Sequence, residues 1–133
     1  FLIKGILSVE DAIRAADLGV HGIVISNHGG RQLDHVPATL DVLPEIVEAV
    51  GDRCEIIVDS GFRRGTDIIK ALALGAKACM IGRPYLYGLA AGGEAGVKRA
   101  LQILDEEFKR NMRLLGCTSV SQLNKSCLRS LDR

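Results

Sequence analysis

Charge is nearly absent as a net quantity: 17 Lys and Arg face 16 Asp and Glu, leaving a formal +1 over 133 residues. With no excess of either sign, there is no electrostatic reason to expect nucleic acid or an anionic membrane as the main partner. Any anion is met locally, by a few side chains. The four cysteines, Cys54, Cys79, Cys117 and Cys127, show neither C-x-x-C spacing nor the density of a disulfide-stapled secreted domain. They read as reduced residues. Cys54 and Cys79 fall at or within apolar runs, where a thiol behaves as a small hydrophobe, so neither catalysis nor metal binding is expected of them. No apolar run approaches the roughly 18 residues that span a bilayer, no basic-then-apolar leader is visible, and the final LRSLDR is not a peroxisomal address. A cytoplasmic placement is the default expectation, with peripheral membrane attachment left open. The chain opens on Phe1 rather than Met, so the true amino terminus is expected to lie elsewhere.

What is present suits one globular domain: 47% hydrophobic and 25% charged residues at single-domain length. Four short apolar runs, Phe1 to Ile3, Gly22 to Ser26, Glu55 to Asp59 and Ala78 to Ile81, alternate with helical patterns, which argues for β/α units with parallel strands. Ser8 followed by Asp11 reads as a cap for a helix carrying Val9, Ala12, Ile13 and Ala16 and stopped by Gly19. Thr39 is expected to cap a second helix, with Pro44 early in it and Gly51 at its end. A third runs from about Thr66 to Gly75. Gly88 to Gly96 reads as a small, glycine-rich connection, and a closing amphipathic helix and tail follow from about Val97. Glu107, with its charged neighbours on that helix, reads as a solvated face. Four such units are either half of an eight-stranded barrel or part of an open doubly wound sheet; in both, ligands sit at the carboxyl ends of the strands. An unclosed half barrel would leave two bare edges, so residues 1–133 read as the carboxyl-terminal half of a larger barrel domain.

The strand ends carry the chemistry. After the second run, SNHGGRQLD delivers His28 and Arg31 into one loop: a group that titrates near neutral pH beside a planar holder for a carboxylate. Taken alone, such a pair is more often a satisfied loop histidine beside a solvated arginine. The third run exits as DSGFRRG and the fourth as IGRPYLYG; glycines let backbone amides approach a ligand and arginines chelate an oxyanion. Arg63, Gly82 and Arg83 are therefore the phosphate candidates, and Asp59 suits ligand hydroxyls. In barrels of this kind a phosphate sits at the loops after strands seven and eight, which would number the visible strands five to eight. Lys4, closing the first run, would place a cation beside a ring that becomes anionic on reduction, or mark a solvated strand end. His21 and His35 lack such settings and read as structural or surface residues.

Together, KGI at Lys4, SNHGGRQLD at Ser26 to Asp34, PATLDVLPEI at Pro37 to Ile46, DSGFRRGTDIIKALALGA at Asp59 to Ala76 and IGRPYLYGLAAGGEAGV at Ile81 to Val97 resemble the FMN-dependent 2-hydroxy acid oxidase and dehydrogenase family. The resemblance implies the carboxyl-terminal half, strands five to eight, of an FMN-binding TIM (β/α)8 barrel that oxidises a small (S)-2-hydroxy acid to the 2-oxo acid. It implies His28 as the base and Arg31 as the carboxylate holder. Lys4, Ser26, Asp59, Ser60, Gly61, Phe62, Arg63, Gly82 and Arg83 would bind FMN, and no metal is implied. Asp59-Ser60-Gly61 stands where many members have Asp-Gly-Gly. Oxygen, a quinone or a cytochrome would reoxidise the flavin, a homotetramer is expected, and the aspartate that orients the histidine would come from the amino-terminal half. Two other readings stay open: a different FMN- or phosphate-binding barrel enzyme, and a scaffold half inactive by itself.

Overall fold

β-branched residues at Ile23, Val24, Ile25, Ile56, Ile57 and Val58 favour extended backbone and pack well when both faces are covered, and this is where the central strands form. The computed structural model describes residues 1–129. Its four parallel strands, β1 (Leu2–Ile6), β2 (Gly22–Ile25), β3 (Glu55–Val58) and β4 (Ala78–Cys79), stand side by side in chain order. An open doubly wound sheet reverses its strand order at a switch point; here there is no reversal. Each connection between neighbours carries a helix, α1 (Val9–Asp17), α2 (Thr39–Val50) and α3 (Gly65–Ala73), and right-handed crossovers put all three on one face. That is the plan of half a barrel. Lys4 lies opposite Val24, and Val24 opposite Ile57, so the carboxyl ends of the strands finish along one edge.

The core sits between sheet and helices. Ile23, Ile25, Leu43, Ile46, Val50 and Val58 are fully buried, each contributing about 1.5–3 kcal/mol relative to an exposed position. A second cluster, Ile69, Ala73, Met112 and Leu123, joins α3 to α4 (Arg83–Leu114), with Phe108, Cys117 and Cys127 packed against it.

Several boundaries depart from the sequence reading. β1 runs on through Lys4 to Ile6, with its register shifted between Lys4 and Ile6. Gly5, at φ +101, allows this bulge, so Lys4 belongs to the strand and does not close it. β4 has only two residues, not the four from Ala78 to Ile81, and the turn to α4 follows at once. Thr39 does not cap α2. The cap position is Ala38, without a side-chain bond, and the buried Thr39 hydroxyl instead donates to the carbonyls of Asp59 and Ser60 at 2.8 and 3.4 Å. Gly88 to Gly96 is mostly helical, and α4 breaks at Gly92 and Gly93. Its two limbs fold back closely: a Cβ on Gly88 would stand 2.5 Å from the Gly96 carbonyl oxygen. Ser8 caps α1 as expected, accepting the Asp11 N–H at 3.2 Å.

Glu107 is the clearest departure on the helices. Its side chain is only 12% exposed and accepts from Gly65 N at 2.9 Å and Arg64 Nε at 3.0 Å. The Gly65 amide and the Arg64 guanidinium hold its carboxyl below the usual carboxylate range. It therefore supplies an acceptor, across 42 residues of chain, for a first-turn amide of α3 that the helix itself leaves unpaired. The approach this requires leaves no room on Gly65, where a Cβ would stand 2.6 Å from the Glu107 carbonyl carbon. Gly65→Ala is expected to destabilise the fold by about 1–3 kcal/mol, read as a lower urea midpoint at unchanged slope.

Candidate active site and cofactor cleft

The carboxyl edge of the sheet opens into a cleft of about 880 Å³ lined by residues that include Lys4, His28, Arg31, Asp59, Arg63 and Arg83. Separations of 22 residues and more in sequence are removed by register: β1 and the ends of β2 and β3 each deliver one polar group to a common point. Lys4 Nζ lies 2.7 Å from Ser26 Oγ and 3.0 Å from Asp59 Oδ2. Ser26 is fully buried, and its oxygen also accepts the His28 N–H at 3.1 Å. Burial pushes the Asp59 carboxyl up, but hydrogen bonds from Ser26, Ser60 and Lys4, with the Lys4 charge, hold it below its ordinary value.

The turn His28–Gly30 follows β2 after Ser26 and Asn27. His28, Gly29 and Gly30 lie at φ +55, +68 and +71, a left-handed stretch that costs a histidine of order 1 kcal/mol or more. The Gly29 N–H is shared by Asn27 Oδ1 at 3.0 Å and Ser60 Oγ at 3.3 Å, while Arg83 donates to the Gly29 carbonyl at 2.5 Å. The imidazole lies over Gly5, where an added Cβ would stand 2.9 Å from His28 Cε1. Gly5 was missed in the sequence; a lone glycine inside a strand pattern, as in KGI, is the available signal for such a bulge and close approach.

The candidate residues divide by what reaches the cleft. His28 and Arg31 are both exposed at its mouth. Phe62 keeps its side chain in the core at 3% exposure, so only its backbone can serve a ligand. Ser26 does not line the cleft; it stands behind Lys4 and His28. Arg83 spans from the α4 terminus to the His28 turn. Met80, Leu86 and Tyr87 add apolar lining that had carried no assignment. His21 stands at the opposite, amino-terminal end, in a smaller cleft of about 370 Å³ with Asp52, Arg53, Glu55 and Lys77; there Arg53 pairs with Asp17 and Lys77 with Glu55.

A model of the FMN-dependent dehydrogenases matches residues 1–130. The chain belongs to that family. It is 56% identical over 126 residues to 2-hydroxyacid oxidase 1 of Homo sapiens, covering 95% of this chain and 34% of that protein. To the L-lactate oxidase of Nostoc it is 54% identical over 127 residues, covering 96% and 35%. Among solved structures, mandelate oxidase with benzoyl-formic acid superposes with a TM-score of 0.89 at 52% identity, over 93% of this chain and 37% of that one. An (S)-mandelate dehydrogenase variant gives 0.94 at 46% identity, over 98% and 36%. The chain thus spans about a third of the length of the relatives it matches. With these neighbours, the fold is the carboxyl-terminal half of a TIM (β/α)8 barrel.

The donors present suit FMN. Gly61, at φ +84, and Gly82 face open space, where an added Cβ would meet nothing within 4 Å; the α4 amino terminus has no side-chain cap. Arg63 makes no side-chain hydrogen bond among the described residues, and Lys4 keeps 41% of its side chain exposed. Cations and free amides at one end, with a single carboxylate for hydroxyls, fit a phosphorylated polyol on a ring that gains negative charge.

Among the described residues no His, Cys, Asp and Glu cluster could hold a metal. Burial pushes the Cys79 thiol up to about 12, so this cysteine is expected to resist alkylation at about pH 8 in the folded chain and to react once unfolded, as peptide mass spectrometry would show. Asp59 sets an acid limit on stability. Its folded value lies below the ordinary 3.8, so its contribution is present above that value and is lost as pH falls through the lowered one. Asp59→Asn is expected to flatten the loss of stability as pH falls below about 4, read from urea midpoints.

Proposed function

We propose that this chain forms the flavin-phosphate and substrate-carboxylate half of an enzyme that oxidises a small (S)-2-hydroxy acid to the 2-oxo acid. The observation that carries the reading is a histidine and an arginine three residues apart at the mouth of a cleft that Lys4, Asp59, Arg63 and Arg83 also line. Arg31 holds the acid's carboxylate through its planar fork of donors. His28, raised on the left-handed turn, takes a proton from the substrate's α-carbon or hydroxyl. FMN, when bound, accepts the two electrons. Lys4 would stand by the flavin ring, where its charge opposes the negative charge that reduction brings; Asp59 would meet ribityl hydroxyls, and Arg63, Arg83 and the amides at Gly61 and Gly82 would hold the phosphate. Ser26, Ser60 and Phe62 support these groups. Reoxidation would fall to oxygen, a quinone or a cytochrome, and assembly to a homotetramer.

Turnover in this reading needs the amino-terminal half of the barrel. β1 and β4 are bare edges, and among the described residues no carboxylate bonds the His28 ring to set its tautomer. The alternative of an inactive scaffold half applies to the chain by itself.

Flavin titration tests this. The isolated chain is expected to leave the yellow flavin in solution, whereas the chain mixed with the amino-terminal half retains it and loses the colour anaerobically on adding a 2-hydroxy acid. Retained flavin that no 2-hydroxy acid reduces would point to another FMN barrel chemistry. His28→Gln should keep the flavin and slow its reduction by about 100- to 10,000-fold; reduction at a similar rate would remove His28 from the base role. Arg31→Lys should weaken acid binding by about 10- to 100-fold, the worth of a charge-assisted bond, as the substrate dependence of flavin reduction would report.

A further inference from the structure

We propose that Ser60 is a positioning residue for the His28 turn, its hydroxyl joining the Lys4–Asp59 pair to the Gly29 amide. The proposal rests on the reading of His28 as the base and adds what aims it. Ser60 lies at φ +73, a conformation in which glycine is at ease and a serine is strained. Its hydroxyl is engaged on both sides there: it donates to Asp59 Oδ1 at 2.8 Å and accepts the Gly29 N–H at 3.3 Å. The other Asp59 oxygen lies 3.0 Å from Lys4. Three polar contacts thus run from the cation on β1, through the end of β3, to the residue next to His28. The turn itself has little preference of its own, because two of its three left-handed residues are glycines. Its direction has to be imposed from outside.

One amide proton with two acceptors makes a specific prediction. Asn27 Oδ1 and Ser60 Oγ share the Gly29 N–H at 3.0 and 3.3 Å, so removing either leaves the other, and only their joint removal strands the donor. The test is a double-mutant cycle with Ser60→Gly, which the backbone at this position accepts without strain, and Asn27→Ala. Hydrogen exchange of the Gly29 amide should rise by about threefold or less in each single variant and by about tenfold or more beyond their product in the double variant. In the chain complemented with the amino-terminal half, flavin reduction at saturating hydroxy acid should slow in the same order, with FMN affinity within about twofold of wild type. A third variant, Ser60→Ala, keeps the strain but loses the hydroxyl. It should match Ser60→Gly in exchange and rate while being the less stable of the two.

Exchange effects that simply multiply, a double variant with wild-type exchange and rate, or a loss confined to FMN affinity, would each overturn the proposal. Ser60→Gly and Ser60→Ala differing in rate as they differ in stability would do the same, since that marks a merely structural role. If wild-type flavin were reduced by no 2-hydroxy acid, the proposed reaction would fall, while the exchange cycle would still decide what Ser60 holds.

Discussion

An ammonium held against a carboxylate across an intervening strand is the constraint on which this site depends. Lys4 is on β1 and Asp59 follows β3, with β2 between them, yet their charged atoms stand 3.0 Å apart. Parallel register makes this possible, because it ends the strands along one edge, and the bulge at Gly5 adjusts β1 to suit. Taking a charged pair wholly out of water costs more than its attraction returns. This pair avoids that cost. Lys4 keeps 41% of its side chain exposed, whereas Asp59, at 16%, has hydroxyl and ammonium donors around it. The carboxylate is satisfied, and the cation remains open to an anionic ligand.

From that pair outward the site is a set of short polar links over a dry core. Ser26 has no exposed surface, and its single oxygen serves both Lys4 and the His28 amide, so the positions of cation and turn are not independent. Ser60 and Arg83 reach the same turn from the ends of β3 and β4. Backbone strain in a run of left-handed residues persists only where the surroundings over-determine it. Here four contacts converge on two residues, and the absent side chain of Gly5 leaves the space the imidazole fills.

The helices are braced by polar groups that serve two elements at once. Thr39, the first residue of α2, ties that helix to the carbonyls after β3; Glu107 on α4 satisfies the start of α3. Both place a side chain where a backbone group would otherwise be unpaired. The outer strands have no such completion. Leu2 on β1 is half exposed, and Met80 after β4 is more than a third exposed, in keeping with two edges that the proposed amino-terminal half would cover.

Local rules read from the residues alone carried a long way. The alternation of β-branched runs with helical periodicity gave four β/α units, the Ser8 cap rested on a contact three residues long, and the glycines with arginines after the last two strands line the cleft. His28 and Arg31 were legible because they are neighbours in the chain. What stayed hidden involved distant partners. That Thr39 would turn inward, that Glu107 would cap α3 and that Ser26 would stand behind Lys4 rather than line the cleft each depend on an acceptor or donor 20 or more residues away. Sequence determines which residues form strands and which polar groups lie at their ends, since these follow from propensity and spacing. Tertiary structure decides which of those groups touch, because register alone sets the few ångströms within which a hydrogen bond exists.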